Sequence, residues 1–375
     1  MPGGVLPYQR RYISDEILAY MHKFDLRVGT LEAAIGTNIP YDPEKMRGRN
    51  NIIYARNEDF FRVKEMGFDV VSLANNHVFD LGVEGLENTI RLLRENGIQY
   101  CGAGMDIEEA SKPAIVHIGN RSIAVLACCM YGNPYLGHVK LAGPDRSGVN
   151  PLDIERIVTD IRKAKAKYDY VVVMPHWGIE YQYFPMVECK GIAYRMVDAG
   201  ADVVIGSHPH NIQPRIKYRS KYIYFSLGNF LFPDYYMEPP RPIWYPDEEV
   251  DLAKIETVVG YPAKIEKPMK SVWMGRSRIG MAVQTWINEE KLGSSYKFVY
   301  LSRDNILHFY LCINASIKRM RLVLMGEAIK FKYFGLVCRI YNSKFNLPRR
   351  ALHFMSRVLN INYDVKIQQK HLPKN

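Results

Sequence analysis

Four of the ten histidines in this 375-residue sequence stand where short apolar runs stop. Ala201-Asp202-Val203-Val204-Ile205-Gly206 leads into Ser207-His208-Pro209-His210. Tyr170-Val171-Val172-Val173-Met174-Pro175 leads into His176-Trp177-Gly178. Phe68-Asp69-Val70-Val71-Ser72-Leu73-Ala74 leads into Asn75-Asn76-His77, with Asp80 and Gly82 close behind. Neutral imidazole ligates divalent transition metals readily, and amide or carboxylate oxygens can complete such a set. Gly206 is expected to let the backbone turn sharply at the strand end. Pro209 fixes φ between the two imidazoles and limits their spread. One histidine alone fits a loop as well as a metal. Three repeats of one arrangement point to a shared metal site.

Convergence requires elements that deliver the side chains to one place. The runs are β-branched and of strand length, and amphipathic helical patterns alternate with them. That alternation implies an open α/β sheet, in which ligands collect at the carboxyl ends of strands. Helices are expected over Ser14 to Phe24, capped by Ser14, over Asn57 to Met66, Gly82 to Asn96, Pro151 to Lys167 and Cys189 to Ala199. Strands are expected over Asp25 to Glu32, Val70 to Leu73, Ile98 to Cys101, Ala114 to Ile118, Ser122 to Cys128, Val171 to Met174, Val203 to Ile205 and Tyr222 to Ser226. Ile279 to Ile287 and Ser295 to Leu301 complete the pattern as a hairpin or neighbouring strands. Gly102-Ala103-Gly104 reads as a turn, because no Lys-Ser or Lys-Thr follows to make a phosphate loop. Pro233 to Lys270, rich in Pro, Tyr and Trp, reads as an irregular lid beside the site.

Five motifs in fixed order resemble the calcineurin-like metallophosphoesterase superfamily, and within it the bacterial capsule-synthesis, CapA-type poly-γ-glutamate family. They are Thr30-Leu31-Glu32, Asn75 to Gly82, His176 to Glu180, Gly206 to Gln213 and Ser226 to Phe230. Thr30 departs from the asparagine usual there. The resemblance covers roughly residues 1 to 303. It implies an α-β-β-α sandwich of metallophosphoesterase type, with an irregular insert at 233–270 and a basic, mainly helical extension at 304–375. It also implies two divalent ions (Mn, Fe or Zn). Glu32 would bridge them, Asn76, His176 and His208 would hold one, and His210 the other. His77 would protonate the leaving group, oriented by Asp80, and Glu180 would orient a ligand histidine. Gln213 and Asn229 would line the substrate site. Arg47 and Arg49, in a polar loop, could clamp an anionic substrate. The family opens on a strand ending in Gly-Asp-x-Met, whose Asp is a ligand. Met1-Pro2-Gly3-Gly4 looks like the tail of that motif, so the first metal position is expected to be incomplete in this sequence.

The net charge of +11 is uneven. From Asn305 onward there are thirteen Lys or Arg against two acids, Glu327 and Asp364, a surplus equal to that of the whole chain. Such a module could lie on an anionic membrane surface, bind an acidic polymer, or pack on the domain with a basic outer face. No recognised nucleic-acid motif accompanies it. Six cysteines without a Cys-x-x-Cys suggest buried apolar residues in a reducing cytoplasm. The function that follows from the resemblance is metal-dependent hydrolysis of a phosphoester or γ-glutamyl amide in capsule or surface-polymer synthesis. The alternative is a non-catalytic polymer-binding or assembly protein that keeps a remnant metal site.

Overall fold

A computed structural model describes residues 11–37, 52–132, 136, 139–239, 243–260, 265–288, 291–310, 313–330 and 334–335. Helix α1, Asp15–Met21, begins where the Ser14 side chain accepts from the amide of Ile17, as its sequence requires. Three parallel strands form the first sheet: β1 (Val28–Thr30), β2 (Val70–Ser72) and β3 (Gln99–Cys101), with β2 central. Helix α2, Gly82–Glu95, turns Leu86, Ile90 and Leu93 inward. These three positions share one helix face.

The second sheet contains β4 (Ala114–Ile118), β5 (Arg121–Cys129), β6 (Tyr170–His176), β7 (Val203–Ile205), β8 (Arg215–Tyr218) and β9 (Lys221–Tyr224). Its order is β8-β9-β7-β6-β5-β4, parallel from β5 through β9 and antiparallel at both edges. Alternation along β5 separates two cores. Ile123, Val125, Ala127 and Cys129 join Leu86, Ile90, Leu93, Val70 and Val71 in one buried cluster. Ala124, Leu126 and Cys128 face the other way, onto α3 (Ile154–Lys167) and α4 (Val187–Asp198). The layers are therefore helix, sheet, sheet, helix, the expected sandwich.

A third sheet lies beside the first on the same face of the second. Strands β10 (Ile279–Asn288) and β11 (Lys291–Leu301) form a long hairpin, and β12 (Leu307–Phe309) pairs with β11. Met281, Tyr296 and Phe298 pack on Val203 and Tyr224 of the second sheet. Among the described residues β1 pairs only with β2, and β10 only with β11. Both strands line one largely apolar cavity of about 930 Å³, which reaches Glu32, His208 and His210.

Three expectations are corrected. The described residues of 233–270 are not irregular: Tyr235–Met237, Ile243–Trp244, Glu256–Val259 and Met269–Val272 make a four-stranded sheet. Tyr235, Met237, Ile243 and Trp273 are buried there with Ile52, Ile53 and Leu81. Ala103–Gly104 is not a simple turn but pairs with Gly148–Val149. Strand β6 runs on through His176, so that histidine is the last strand residue rather than the first loop residue. In the basic region, β12 belongs to the third sheet, and helix α5 (Ile313–Lys330) buries Leu322, Met325 and Ile329 against the body. No described helix is long and apolar enough to cross a membrane. Arg47, Arg49 and the residues beyond Gly335 lie outside the described residues.

Candidate metal centre

The carboxyl ends of β1, β2, β6 and β7 lie together because these strands run parallel within their two packed sheets. Asn75 fastens the first two ends. Its Nδ2 donates to the carbonyls of Leu31 (2.9 Å) and Leu73 (3.2 Å), and its Oδ1 accepts from the amides of His77 and Val78 (both 2.9 Å). The loop carrying Asn76 and His77 is thereby tied to the chain just before Glu32. The next two ends are joined by the amide of Ser207, which donates to Pro175 O at 3.0 Å, and that of Trp177, which donates to Ser207 O at 3.1 Å.

Gly206 is needed for space rather than for a turn. A Cβ there would stand 2.1 Å from Phe225 O and 2.4 Å from Trp177 Nε1. Those two atoms hydrogen-bond to each other at 3.0 Å. His208 and His210, by contrast, have φ of 95° and 51°. Non-glycine residues avoid this region, and strain of this kind is held where geometry matters for function.

The geometry brings Glu32, Asn76, His176, His208 and His210 together. Ligand atoms of Glu32, His176 and His208 lie within 4.8 Å of one another, and all three residues are buried. Glu32 Oε1 is 3.6 Å from His176 Nε2 and 3.7 Å from His210 Nε2. Asn76 Oδ1 is 2.8 Å from His176 Nε2. Ligand bonds of about 2.0–2.2 Å put neighbouring donor atoms roughly 3 Å apart, so these spacings suit a common ion. Glu32 Oε1 and both ring nitrogens of His208 are buried without a hydrogen-bond partner. Orphaned polar atoms in a folded interior are costly. A divalent cation would satisfy Glu32 Oε1 and one ring nitrogen of His208, so the donor set fits a metal.

Electrostatics agree with neutral ligand imidazoles. Burial, then the neighbouring histidines, holds His176 and His208 well below the ordinary histidine range. His77 differs. Burial alone would lower it, but the surrounding carboxylates, Asp80 foremost through charge and a 2.7 Å hydrogen bond to Nδ1 and then Glu32 and Glu180, together shift His77 above its usual value. Asp80 Oδ2 also accepts from the amide of Ile53 at 2.8 Å, which anchors the pair. Burial raises Glu180, which lies within electrostatic reach of His210, His77 and Glu32.

Two residues expected to line the substrate site make bonds that brace it, and Asn229 also lines the cavity that reaches Glu32, His208 and His210. Gln213 Nε2 donates to the carbonyls of Gln182 (3.1 Å) and Phe184 (3.2 Å), clipping the loop after β6. Asn229 Oδ1 sits 2.8 Å from His210 Nδ1, while its Nδ2 donates to Ser277 O at 2.9 Å. The carbonyl of Ser277 can only accept, so the Asn229 amide is oriented with its oxygen toward His210. His210 Nδ1 must then carry the proton, and Nε2 keeps its lone pair for a ligand. Sequence reasoning missed Ser207, whose Oγ holds His176 Nδ1 at 2.9 Å. It also missed Trp273, whose ring lies 5.2 Å from that of His210. Ser207 stands inside the quoted histidine motif. Trp273 follows the stretch that shows little periodicity.

Residues 2–234 match the family model for bacterial capsule synthesis protein PGA_cap. The chain is 31% identical over 229 residues to the capsule biosynthesis protein CapA of Bacillus anthracis, covering 60% of this chain and 54% of that one. It is 33% identical over 196 residues to the PGA biosynthesis protein CapA of Bacillus subtilis, covering 52% and 50% respectively. The chain thus spans about half the length of these relatives. A solved structure of a candidate 5'-nucleotidase from Staphylococcus aureus overlaps 86% of this chain and 56% of its own, with 14% identity and a TM-score of 0.43. With its motifs in order and a family match over more than half its length, the chain belongs to the bacterial capsule synthesis protein family.

Proposed function

We propose that this chain is a metal-dependent hydrolase that cuts a phosphoester or γ-glutamyl amide bond in the metabolism of an anionic, capsule-type polymer. The observation that carries the reading is the buried, unpartnered donor set of Glu32 and His208 beside His176. The names of the relatives, which concern capsule and PGA biosynthesis, support the polymer class. Asn76, His176 and His208 would hold one ion and His210 a second. Glu32 would bridge, in keeping with the near-equal distances of its Oε1 from His176 and His210.

A divalent cation at such a site supplies Lewis-acid polarisation of the scissile centre and a nucleophile from water at neutral pH. The chain's own residues supply the rest. Asp80 holds the His77 proton at Nδ1, which leaves Nε2 to deliver a second proton to the leaving oxygen or nitrogen. The raised His77 keeps a protonated fraction near neutrality for that purpose. Asn229 fixes the tautomer of His210. Asn75 fixes the distance between the Glu32 and Asn76 strand ends.

The test separates ligand from acid. His208→Ala is expected to lose bound Mn, Fe or Zn, measured by elemental analysis. His77→Ala is expected to retain metal and to lose turnover by about 10²–10⁴-fold. The assay is a panel of phosphoesters and γ-glutamyl peptides. Metal uptake without turnover on any of these would favour a polymer-binding or assembly role. Equal metal loss in both variants would remove the division of labour.

A further inference from the structure

Two guanidinium groups meet on one tyrosine ring beside the metal centre. Tyr183 lies in the loop after β6, and that loop is fastened to the histidine loop from both sides. The amide of Tyr181 donates to Pro209 O at 2.7 Å. Gln213 Nε2 holds the carbonyls flanking Tyr183, those of Gln182 and Phe184. A second segment, Trp273 to Arg278, approaches the same place. Trp273 packs on His210, and Ser277 O accepts from the Asn229 that orients His210. Arg276 stands between these two anchors. Its guanidinium carbon is 5.3 Å from the centre of the Tyr183 ring, and that of Arg321, on α5, is 5.1 Å from the same ring.

Arg276 is poorly satisfied. Its Nη1 reaches Tyr183 Oη at 3.4 Å and its Nη2 reaches Met274 Sδ at 3.7 Å, both long contacts. Its Nε is buried with no acceptor. Among the described residues no carboxylate forms an ion pair with it. A buried N–H left without an acceptor is costly, and that of Arg276 Nε stands on a half-buried guanidinium that an incoming group can reach. An oxyanion drawn to the Arg276 fork would supply the missing acceptor, since the guanidinium fork matches the geometry of a carboxylate or phosphate, and Arg321 on the same ring adds a second positive charge nearby.

We propose that Tyr183, Arg276 and Arg321 form an anion subsite at the edge of the metal centre. It binds a carboxylate or phosphate group of the substrate, away from the bond that is cut. The link to substrate rests on the hydrolase reading above, but anion binding itself does not. The subsite also gives part of the basic C-terminal region a local role, since α5 delivers one of the two cations.

The experiment is calorimetric titration of the metal-free chain with inorganic phosphate and, separately, with glutarate. At least one anion is expected to bind. Arg276→Ala and Arg321→Ala are each expected to weaken that binding roughly tenfold, the scale of one charge-assisted hydrogen bond. Arg276→Lys should fall between native and Arg276→Ala, because it restores charge without the fork. Metal uptake should be unchanged in all three. Preference for phosphate or for glutarate identifies the group recognised. If neither anion binds, or if Arg321→Ala and every folded Arg276 variant bind as the native chain does, the proposal is wrong. The exposed Arg321 carries the test should Arg276→Ala fail to fold. Anion binding that survives in a chain with no metal uptake would sink the hydrolase reading and leave the subsite standing.

Discussion

Asn229 is the hinge between His210 and the segment around Arg276: one end of its amide meets His210 Nδ1 at 2.8 Å and the other meets Ser277 O at 2.9 Å. A ligand histidine is thereby oriented by a residue that need never touch an ion. Ser277 is further held by its Oγ on Asn211 Oδ1 at 3.2 Å, so the orientation is built from two loops at once.

Asn229→Ala should therefore weaken metal binding by about 10–100-fold, the usual cost of losing such support. The variant also loses two partly buried hydrogen bonds worth about 1 kcal/mol each, so the metal-free chain is expected to lose no more than about 2 kcal/mol of stability. Metal titration and thermal denaturation of the metal-free variant would measure the two effects. A large stability loss with unchanged metal affinity would make Asn229 a packing residue.

Gly206→Ala tests the space argument. The added methyl would meet Phe225 O and Trp177 Nε1. Backbone and a fully buried indole cannot move cheaply, so a cost of about 1–3 kcal/mol or more is expected. The Trp177 Nε1 to Phe225 O hydrogen bond should break, which near-ultraviolet circular dichroism would register. A variant as stable as the native chain would show that the strand end can spread.

The histidines also set a pH dependence for the metal-free chain. His176 and His208 are held below the unfolded value of about 6.5. Below that pH the unfolded chain binds protons that the folded chain refuses. Stability should thus fall on acidification, by about 1.4 kcal/mol per pH unit for each imidazole. His77 has the opposite sign. Its contribution is complete below about 6.5 and is lost as pH rises through its raised folded value. Melting in the presence of a chelator should peak near pH 6.5. His208→Asn should flatten the acid limb, and an unchanged acid limb would place the titration elsewhere.

The site was readable in sequence where side chains follow from strand ends. β-branched runs that stop before His176, Gly206 and Asn75 announce both the element and its terminus. What supports those residues was less readable, because it depends on contacts between distant segments. Trp273 and Ser277 follow a stretch whose strands are two to four residues long, too short to show a period. Gln213 and Asn229 were legible as site-associated, but their partners, backbone carbonyls of distant segments and for Asn229 also the His210 ring, are ones to which sequence gives no clue. Gly206 was recognised as special for the wrong reason. Its φ is ordinary, and the crowding comes from Phe225 and Trp177, residues 19 and 29 positions away. Ala103 and Gly104 read as a turn because neither favours strands, and the pairing with Gly148–Val149 overrides that preference.

The cavity between β1 and β10 makes the last prediction. It is walled by two strands that each have one partner among the described residues, and it ends at Glu32, His208 and His210. Its largely apolar lining, between two strands that each have one side unpaired among the described residues, suits an extended strand. A chain extended ahead of Met1 by an apolar strand ending in Gly-Asp, the pattern of the family, is expected to gain stability on the order of several kcal/mol from new backbone hydrogen bonds and apolar burial. The aspartate would arrive at the end where His210 and Glu32 stand, so metal affinity should rise as well. A control extension ending in Gly-Asn separates the two effects. It should keep the gain in melting temperature, which comes from the strand, and lose most of the gain in affinity, which comes from the carboxylate. Equal affinity for both extensions would mean that the carboxylate does not reach the ions. No rise in melting temperature for either would mean that the cavity does not accept a strand.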